Sequence, residues 1–244
     1  MTASTASAGT IFNIKFDFTS ASQKDILRYL QKNGYNLYGY KGAKGPRQVT
    51  AGLPTWFAVP YINLFGHVDI AYEPLFKVYV SQQSEIGPNT TLIVSEMSEE
   101  FPLGTSLIFN ADGTFTTNSA NPAPPGTISL LNNRLASTPN ITVGLAAKVN
   151  GNYSPFCAFT LTPKGGLNME PIENVCLFAA QTSLQSGSVV GQAAAPGCTF
   201  DFSATTIDYS LEMIPAIYGI KSGPGTNPVT KISAGDSLSE LLNS

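Results

Sequence analysis

Residues 141–161, ITVGLAAKVNGNYSPFCAFTL, decide the fold class of this chain. Two largely apolar runs, 141–149 and 152–161, flank the dipeptide Asn150-Gly151. Asn-Gly between two such runs is typical of a β-hairpin closed by a two-residue type I′ turn. A second hairpin is predicted at 107–116, where Asp112-Gly113 separates two short runs of strand-forming residues. The sequence therefore builds its structure from short antiparallel strands.

Further strand patterns lie on both sides of this hairpin at the short spacing that is typical of β-sandwiches and barrels. We predict an all-β fold, an antiparallel β-sandwich or barrel-like domain with one or two short helices. Pro74 predicts a bend or bulge between two strands, because proline cannot donate to a central ladder. The predicted strands outside the two hairpins are 11–18, 35–41, 55–60, 67–73, 75–82, 90–96, 173–182, 187–194, 198–203, 206–213 and 216–220.

Two segments have helical patterns. In 20–33 we expect Ser22 to cap the helix, Asn33-Gly34 to end it, and an apolar stripe to pack on a sheet. That stripe consists of Ile26, Leu27 and Leu30. Residues 237–243 predict a second, shorter helix at the end of the chain.

The chain has 244 residues, a length that a single β-domain can reach. We predict a flexible tail at 1–10 and a single β-rich domain at 11–244. The proline-rich stretch 118–126, NSANPAPPG, is a possible boundary within that domain. Nine residues also suffice for a long loop, and the composition is similar on either side, so one domain is favoured.

Charged residues make up only 12% of the chain, and the net charge is −3 with an isoelectric point near 5.1. Proteins that bind nucleic acids rely on many lysine and arginine contacts to phosphate. A nucleic-acid partner is therefore not expected. Motifs for nucleotide binding are missing too, since the glycines of GYKGAKG are not spaced as in a phosphate-binding loop.

The three cysteines, Cys157, Cys176 and Cys198, form no CxxC pair. We expect three buried thiols, with a Cys157–Cys176 disulfide as the alternative. His67 is the only histidine, so the usual zinc spacing cannot be completed. No metal and no cofactor are predicted.

The first ten residues, MTASTASAGT, lack the basic start and apolar core of a secretory signal. No window has the apolar length of a membrane-spanning helix. We expect a soluble chain that is cytoplasmic or exported without a leader. The alternative is a chain from which a signal peptide has been removed.

Catalytic residues are hard to find in this sequence. Asp69 lies two residues after His67, so in a strand the two side chains share one face and can form an acid–base pair. A histidine hydrogen-bonded to its strand neighbour explains the same pattern, and no GxSxG nucleophile motif accompanies it. His67 and Asp69 are therefore the catalytic candidates that the sequence offers, but a non-enzymatic protein is favoured.

The stretch 35–80 has the densest aromatic and basic content of the chain. Tyrosine and tryptophan offer rigid contact area with a polar tip, and nearby cations can hold an anionic group. Ordinary β-core packing explains the aromatic residues equally well. The candidate ligand-binding residues are Tyr38, Tyr40, Lys41, Lys44, Arg47, Trp56 and Tyr61.

These features favour a non-enzymatic recognition protein that binds a lipid headgroup or a membrane surface, of the type represented by cytolysins. One alternative is a carbohydrate-binding lectin that uses the same aromatic residues. A second is a metal-independent enzyme that acts on a hydrophobic small molecule. A third is a self-associating structural protein. Low net charge favours association, so a homo-oligomer is possible under each of them.

Overall fold

The computed structural model describes residues 9–81 and 83–243. Most of the predicted tail, residues 1–8, therefore lies outside the described part of the chain. Helix α1 spans Ala21–Lys32 and helix α2 spans Leu238–Leu242. The strands, numbered along the chain, are β1 (Phe12–Asp17), β2 (Asn36–Lys44), β3 (Leu53–Pro54), β4 (Phe57–Pro60), β5 (His67–Ser81), β6 (Val94–Phe101), β7 (Ser106–Phe109), β8 (Phe115–Thr117), β9 (Ile128–Asn132), β10 (Ile141–Val149), β11 (Asn152–Pro155), β12 (Phe159–Leu161), β13 (Gly166–Ala180), β14 (Val189–Val190), β15 (Gly197–Asp201), β16 (Asp208–Met213), β17 (Ile220–Ser222) and β18 (Thr230–Ile232).

Two mixed sheets pack against each other, as the predicted β-sandwich requires. The first sheet has the order β11-β10-β5-β1-β16-β17, with β12 on β10 and β6 on β5. The second has the order β18-β15-β13-β9-β7-β8, with β2 on β13 and β4 on β2. Most neighbours are antiparallel, but β1 and β16 are parallel, and so are β7 and β9. The all-β prediction is confirmed, while these parallel pairs were not expected from an antiparallel sandwich.

Both predicted hairpins are present. Strands β10 and β11 pair across Asn150-Gly151, and both turn residues have positive φ, 48° and 79°. A type I′ turn needs this conformation at both positions, which is why Asn-Gly is favoured there. Strands β7 and β8 pair across the turn that contains Gly113, with φ 86°. Turn chemistry therefore fixed these two registers.

The longest strands, β5 and β13, are the central strands of the two sheets. Pro74 lies inside β5, where the pairing with β10 shifts register between Ala147 and Lys148. The predicted bulge is confirmed, but it lies within one continuous strand. Pro171 lies at a similar shift in β13, between β13 and β2. A proline that cannot donate to the ladder is accommodated at such irregularities.

Helix α1 ends at Asn33 as predicted, and its apolar stripe is buried. The expected cap at Ser22 is wrong, because Ser20 has the extended backbone of an N-cap and accepts a hydrogen bond from Gln23 N at 3.3 Å. The Gln23 side chain then bonds both backbone groups of Met213, at 2.9 Å to its oxygen and 3.1 Å from its nitrogen. This buried amide fixes α1 to the end of β16.

Several predicted strand boundaries differ from the structure. The strand predicted at 90–96 begins only at Val94, and the one predicted at 187–194 is reduced to the two residues of β14. Residues 118–126 lie between β8 and β9, which flank β7 on opposite sides in the same sheet. The three cysteines are buried free thiols, as expected.

Candidate functional site

The aromatic residues that were predicted to bind a ligand are all fully buried. Trp56 donates from Nε1 to the carbonyl of Ala147 at 3.4 Å, and Tyr61 donates to Met213 Sδ at 3.6 Å. Tyr38 donates to the carbonyl of Thr182. Because buried polar tips need partners, these contacts satisfy them inside the protein. The structure therefore places these rings in the core, and they form no exposed patch.

The structure separates the three basic residues that were predicted to bind a ligand. Lys41 is fully buried, and its Nζ lies 2.7 Å from Glu173 Oε2. Burial lowers the pKa of Lys41, although the charge of Glu173 opposes that shift. Lys44 and Arg47 are exposed at and beyond the end of β2, and Arg47 donates to Thr162 Oγ1 at 3.3 Å. Lys41 is thus separated in environment from the other two cations.

His67 and Asp69 share the exposed face of β5, as the two-residue spacing predicted. The carboxylate closest to the imidazole is nevertheless Asp17 on β1, with 3.6 Å between Asp17 Oδ1 and His67 Nδ1. Thr19 bonds the Asp17 carboxylate through its side chain and its backbone N–H, and this lowers the pKa of Asp17. The sequence did not reveal this cross-strand neighbour, since Asp17 and His67 are 50 positions apart.

Large apolar side chains are exposed on α1 and on two segments that contact it. Phe65 is 88% exposed and Ile62 is 61% exposed, both in the segment between β4 and β5. Ile217 is 57% exposed in the turn between β16 and β17, and Tyr29 is 43% exposed on α1. Single exposed apolar residues are common, but a group of them is a candidate interaction site.

Contacts to α1 bring these residues together. The Tyr29 ring stacks on the Tyr218 ring with centroids 4.5 Å apart. On the other side of the helix, Gln31 donates to the carbonyl of Leu64 at 2.9 Å, directly before Phe65. At 3.6 residues per turn, Tyr29 and Gln31 point about 160° apart around the helix. The segment that carries Ile62 and Phe65 therefore lies on one side of α1, and the turn that carries Ile217 and Tyr218 lies on the other; we refer to these as the two apolar flanks of the helix.

The turn that carries Ile217 has an unusual backbone. Ala216 and Tyr218 both have positive φ, 68° and 50°. Non-glycine residues rarely adopt this region, and such conformations persist where the surrounding structure holds them. Here the turn packs Tyr218 on Tyr29 while it leaves Ile217 in solvent.

The exposed crest of α1 between the two flanks is basic. Lys24, Arg28 and Lys32 are exposed and follow each other at four-residue spacing, so they lie along one side of the helix. Asp25 is the acidic residue of this helix, and its Oδ1 lies 3.3 Å from Arg28 Nη1. The exposed side of α1 therefore carries three positive charges and one negative charge. We call this basic crest with its two apolar flanks the α1 surface; its residues are Lys24, Arg28, Tyr29, Lys32, Ile62, Phe65, Ile217 and Tyr218.

Comparison with known proteins identifies no relative, since no protein-family model, no curated protein and no solved structure matches this chain. The site must therefore be interpreted from its own chemistry.

Two further structural findings concern membrane-spanning helices and metal sites. No helix among residues 9–81 and 83–243 is long and apolar enough to cross a membrane. In the same part of the chain, no three histidine, cysteine, aspartate or glutamate side chains are grouped to hold a metal ion. The α1 surface combines cations with apolar groups, which suits a partner that is anionic and apolar at once.

The sequence contained part of this site. Phe65 lies in the aromatic-rich stretch from which the binding surface was predicted, and the four-residue spacing of Lys24, Arg28 and Lys32 is visible in 20–33. The contribution of Ile217 and Tyr218 was missed, because only the fold brings the turn between β16 and β17 against α1.

Proposed function

We propose that this protein binds the surface of anionic phospholipid membranes through the α1 surface. The observation that supports the proposal is the position of Phe65 and Ile62, which are exposed beside the basic crest of α1. Amphipathic elements that lie at a membrane surface combine apolar side chains with lysine and arginine in this way. The membrane partner predicted from the sequence is retained, but a different set of residues carries the contact.

The apolar flanks supply the part of the binding energy that does not depend on charge. Phe65 packs little in the free protein, so its transfer into an interface removes most of its area from water. Complete burial of such a side chain stabilises by about 1.5–3 kcal/mol. Ile62 and Ile217 add smaller apolar areas, one on each side of α1. Tyr29 and Tyr218 have the ring and hydroxyl group that suit the boundary between acyl chains and headgroups.

The basic crest supplies attraction to anionic headgroups. Each lysine or arginine near an anionic leaflet contributes about 1 kcal/mol, and salt screens this contribution. Lys24, Arg28 and Lys32 therefore add binding energy of the same order as the apolar flanks. Because both components act together, neither cations alone nor apolar residues alone are expected to give full affinity.

The charge distribution also favours one orientation. The chain as a whole has a net charge of −3, while the crest of α1 is positive. Glu96, Glu99 and Glu100 lie on β6, which pairs with the second half of β5. The partners of Glu100 and Glu96 on β5, Lys77 and Val80, lie roughly 35–45 Å along the strand from its start at His67, at about 3.3 Å per residue. An anionic membrane therefore attracts the α1 surface and repels the β6 end.

Sedimentation with vesicles tests the proposal. We expect binding to vesicles that contain phosphatidylglycerol, much weaker binding to pure phosphatidylcholine, and loss of binding as salt is raised. The triple variant Lys24→Gln/Arg28→Gln/Lys32→Gln removes about 3 kcal/mol of attraction, which is roughly a hundredfold in affinity. Phe65→Ser is expected to weaken binding by about tenfold or more.

Matched controls locate the surface. Leu135→Ser removes an aliphatic side chain that is 67% exposed in the loop between β9 and β10, and it should leave binding unchanged. The double variant Lys44→Gln/Arg47→Gln tests the basic loop that the sequence predicted. Equal binding to both vesicle types, or equal loss in Leu135→Ser and Phe65→Ser, contradicts the proposal. A dimer that is detected by sedimentation equilibrium and that dissociates in Phe65→Ser also contradicts the proposal, because a second copy of the chain would then cover this surface.

A further inference from the structure

A second candidate site lies on the outer face of the first sheet, where β5, β1 and β16 are neighbours. The groove there has a volume of about 400 Å³, and its polar side chains stand in two rows across the strands. The register places Asp69 opposite Lys15, and Lys15 opposite Ser210. In the next row His67 lies opposite Asp17. Sheet registers fix these side chains more rigidly than a loop would.

The ends of the groove come from other elements. Ser20, the N-cap of α1, lines it on one side, and Gly223 with Pro224 lines it after β17. Glu212 of β16 also lines the groove, and its carboxylate lies 3.0 Å from Lys221 Nζ. The groove thus combines hydroxyl groups, an imidazole, an ammonium and carboxylates on one open surface.

The charge balance determines which ligands fit. The carboxylates of Asp17, Asp69 and Glu212 line the groove together with a single lysine, Lys15. Two of these charges are paired with residues outside the groove lining, Lys15 with Asp208 at 3.5 Å and Glu212 with Lys221 at 3.0 Å, so Asp17 and Asp69 carry the remaining negative charge. This excess of negative charge opposes phosphorylated or sulfated ligands. A metal-bridged ligand has no support either, since the described residues include no metal-holding group.

Hydroxyl-rich neutral or amino-bearing ligands match the lining better. Carboxylates accept hydrogen bonds from hydroxyl groups, and hydrogen bonds to an ionised acceptor are about twice as strong as neutral ones. Lys15 donates in return, and the two rows of side chains can contact several hydroxyl groups of one ring. We propose that this groove binds a neutral or amino-bearing saccharide. The inference goes beyond membrane binding and does not rest on it.

His67 provides a specific probe, because it is the only histidine in the chain and it lines the groove. The experiment follows the imidazole NMR signals of the full chain at constant pH during titration with glucose, galactose, N-acetylglucosamine and glucosamine. Glucose 6-phosphate serves as the anionic counterpart. We expect at least one uncharged or amino sugar to shift the His67 signals saturably, and the phosphate ester to bind several-fold more weakly than glucose.

Two variants test the location. Asp69→Asn removes an exposed carboxylate from the groove and should weaken sugar binding at least several-fold. Glu99→Gln removes an exposed carboxylate from β6 and should leave binding unchanged. The inference is overturned if no sugar of the panel shifts His67, if glucose 6-phosphate binds more tightly than glucose, or if both variants behave alike.

A further experiment distinguishes a membrane glycolipid from a soluble glycan as the source of the saccharide. Phosphatidylcholine vesicles with and without a galactosyl lipid are compared in the presence of free galactose. Competition by galactose that is lost in Asp69→Asn indicates a membrane glycolipid as the source. Binding of the free sugar without any effect of the galactosyl lipid indicates a soluble glycan. Vesicle binding that survives in Asp69→Asn but is lost in Phe65→Ser supports only the membrane proposal, and together with an absence of any sugar-induced shift of His67 it overturns the groove.

Discussion

Lys41 and Glu173 form an ion pair inside the sandwich, with Nζ 2.7 Å from Oε2 and the lysine side chain fully buried. Lys41 also donates to the carbonyl of Ile172 at 2.6 Å, and its Nζ lies 4.7 Å above the Tyr72 ring. Tyr72 donates to the second carboxylate oxygen of Glu173 at 3.0 Å. The lysine charge thus has a counter-charge, a carbonyl and an aromatic face around it, which compensates its removal from water.

Replacement of Glu173 by glutamine is expected to destabilise the protein strongly. The variant leaves Lys41 buried without its counter-charge, and breaking a buried pair from one side costs about 3–5 kcal/mol. Urea unfolding of Glu173→Gln against the parent chain measures this difference in the free energy of unfolding.

The double variant Lys41→Met/Glu173→Gln is the control for that prediction. Removal of both charges leaves no uncompensated ion, so the double variant should be clearly more stable than Glu173→Gln alone. A Glu173→Gln variant as stable as the parent would show that the buried charge of Lys41 is satisfied without the carboxylate.

The fold was largely predictable because local chemistry determines its elements. Asn150-Gly151 fixes a hairpin by its own backbone preference, and Pro74 requires an irregularity within a central strand. The parallel pairing of β1 with β16 was not predictable, since the two strands are almost 200 positions apart. Alternation of apolar and polar residues shows which face of a strand is buried, but it does not show which strand is its neighbour.

The candidate site was less predictable than the fold. The residue type of Trp56 and Lys41 suggested a surface, but the structure buries both. A tyrosine, a tryptophan or even a lysine in a strand can face either side, and strand position alone does not settle the depth of burial. Phe65 and Lys32 have the expected chemistry in exposed positions, and only the packing of α1 against two loops brings them together.

Burial raises the pKa of several tyrosines above the ordinary value of 10.0, namely those of Tyr40, Tyr61, Tyr72 and Tyr79. Above that pH the unfolded chain loses these protons more readily than the folded chain. Stability is therefore fully present below pH 10.0 and is lost as the pH rises further. The lowered pKa of Lys41 makes stability change with pH in the opposite direction. This single group is outweighed by the four tyrosines.

Unfolding free energies measured at increasing alkaline pH test this expectation, with phenolate absorbance as the second readout. Phenolate formation by Tyr40, Tyr61, Tyr72 and Tyr79 should accompany unfolding. Ionisation of all ten tyrosines near pH 10.0 in a chain with native circular dichroism would contradict their burial.

The three cysteines should be unreactive in the folded protein. All three are buried, and burial raises the pKa of Cys157 to about 12. A thiol that is neither exposed nor ionised reacts slowly with disulfide reagents. We expect no thiol to react with an aromatic disulfide reagent in native buffer and three to react in denaturant. Rapid modification of one cysteine without denaturant would contradict the packing around it.

The fluorescence of Trp56 should reflect the protein core and should not change when ligands are added. Its side chain is fully buried, and it packs edge-on against Tyr72 with ring centroids 5.0 Å apart. Emission at short wavelength, resistance to iodide quenching and no shift with vesicles or sugars are the expected results. A variant with tryptophan at position 65, Phe65→Trp, places a second indole on the α1 surface. Its emission should shift to shorter wavelength with anionic vesicles, while an unchanged spectrum would count against membrane contact at Phe65.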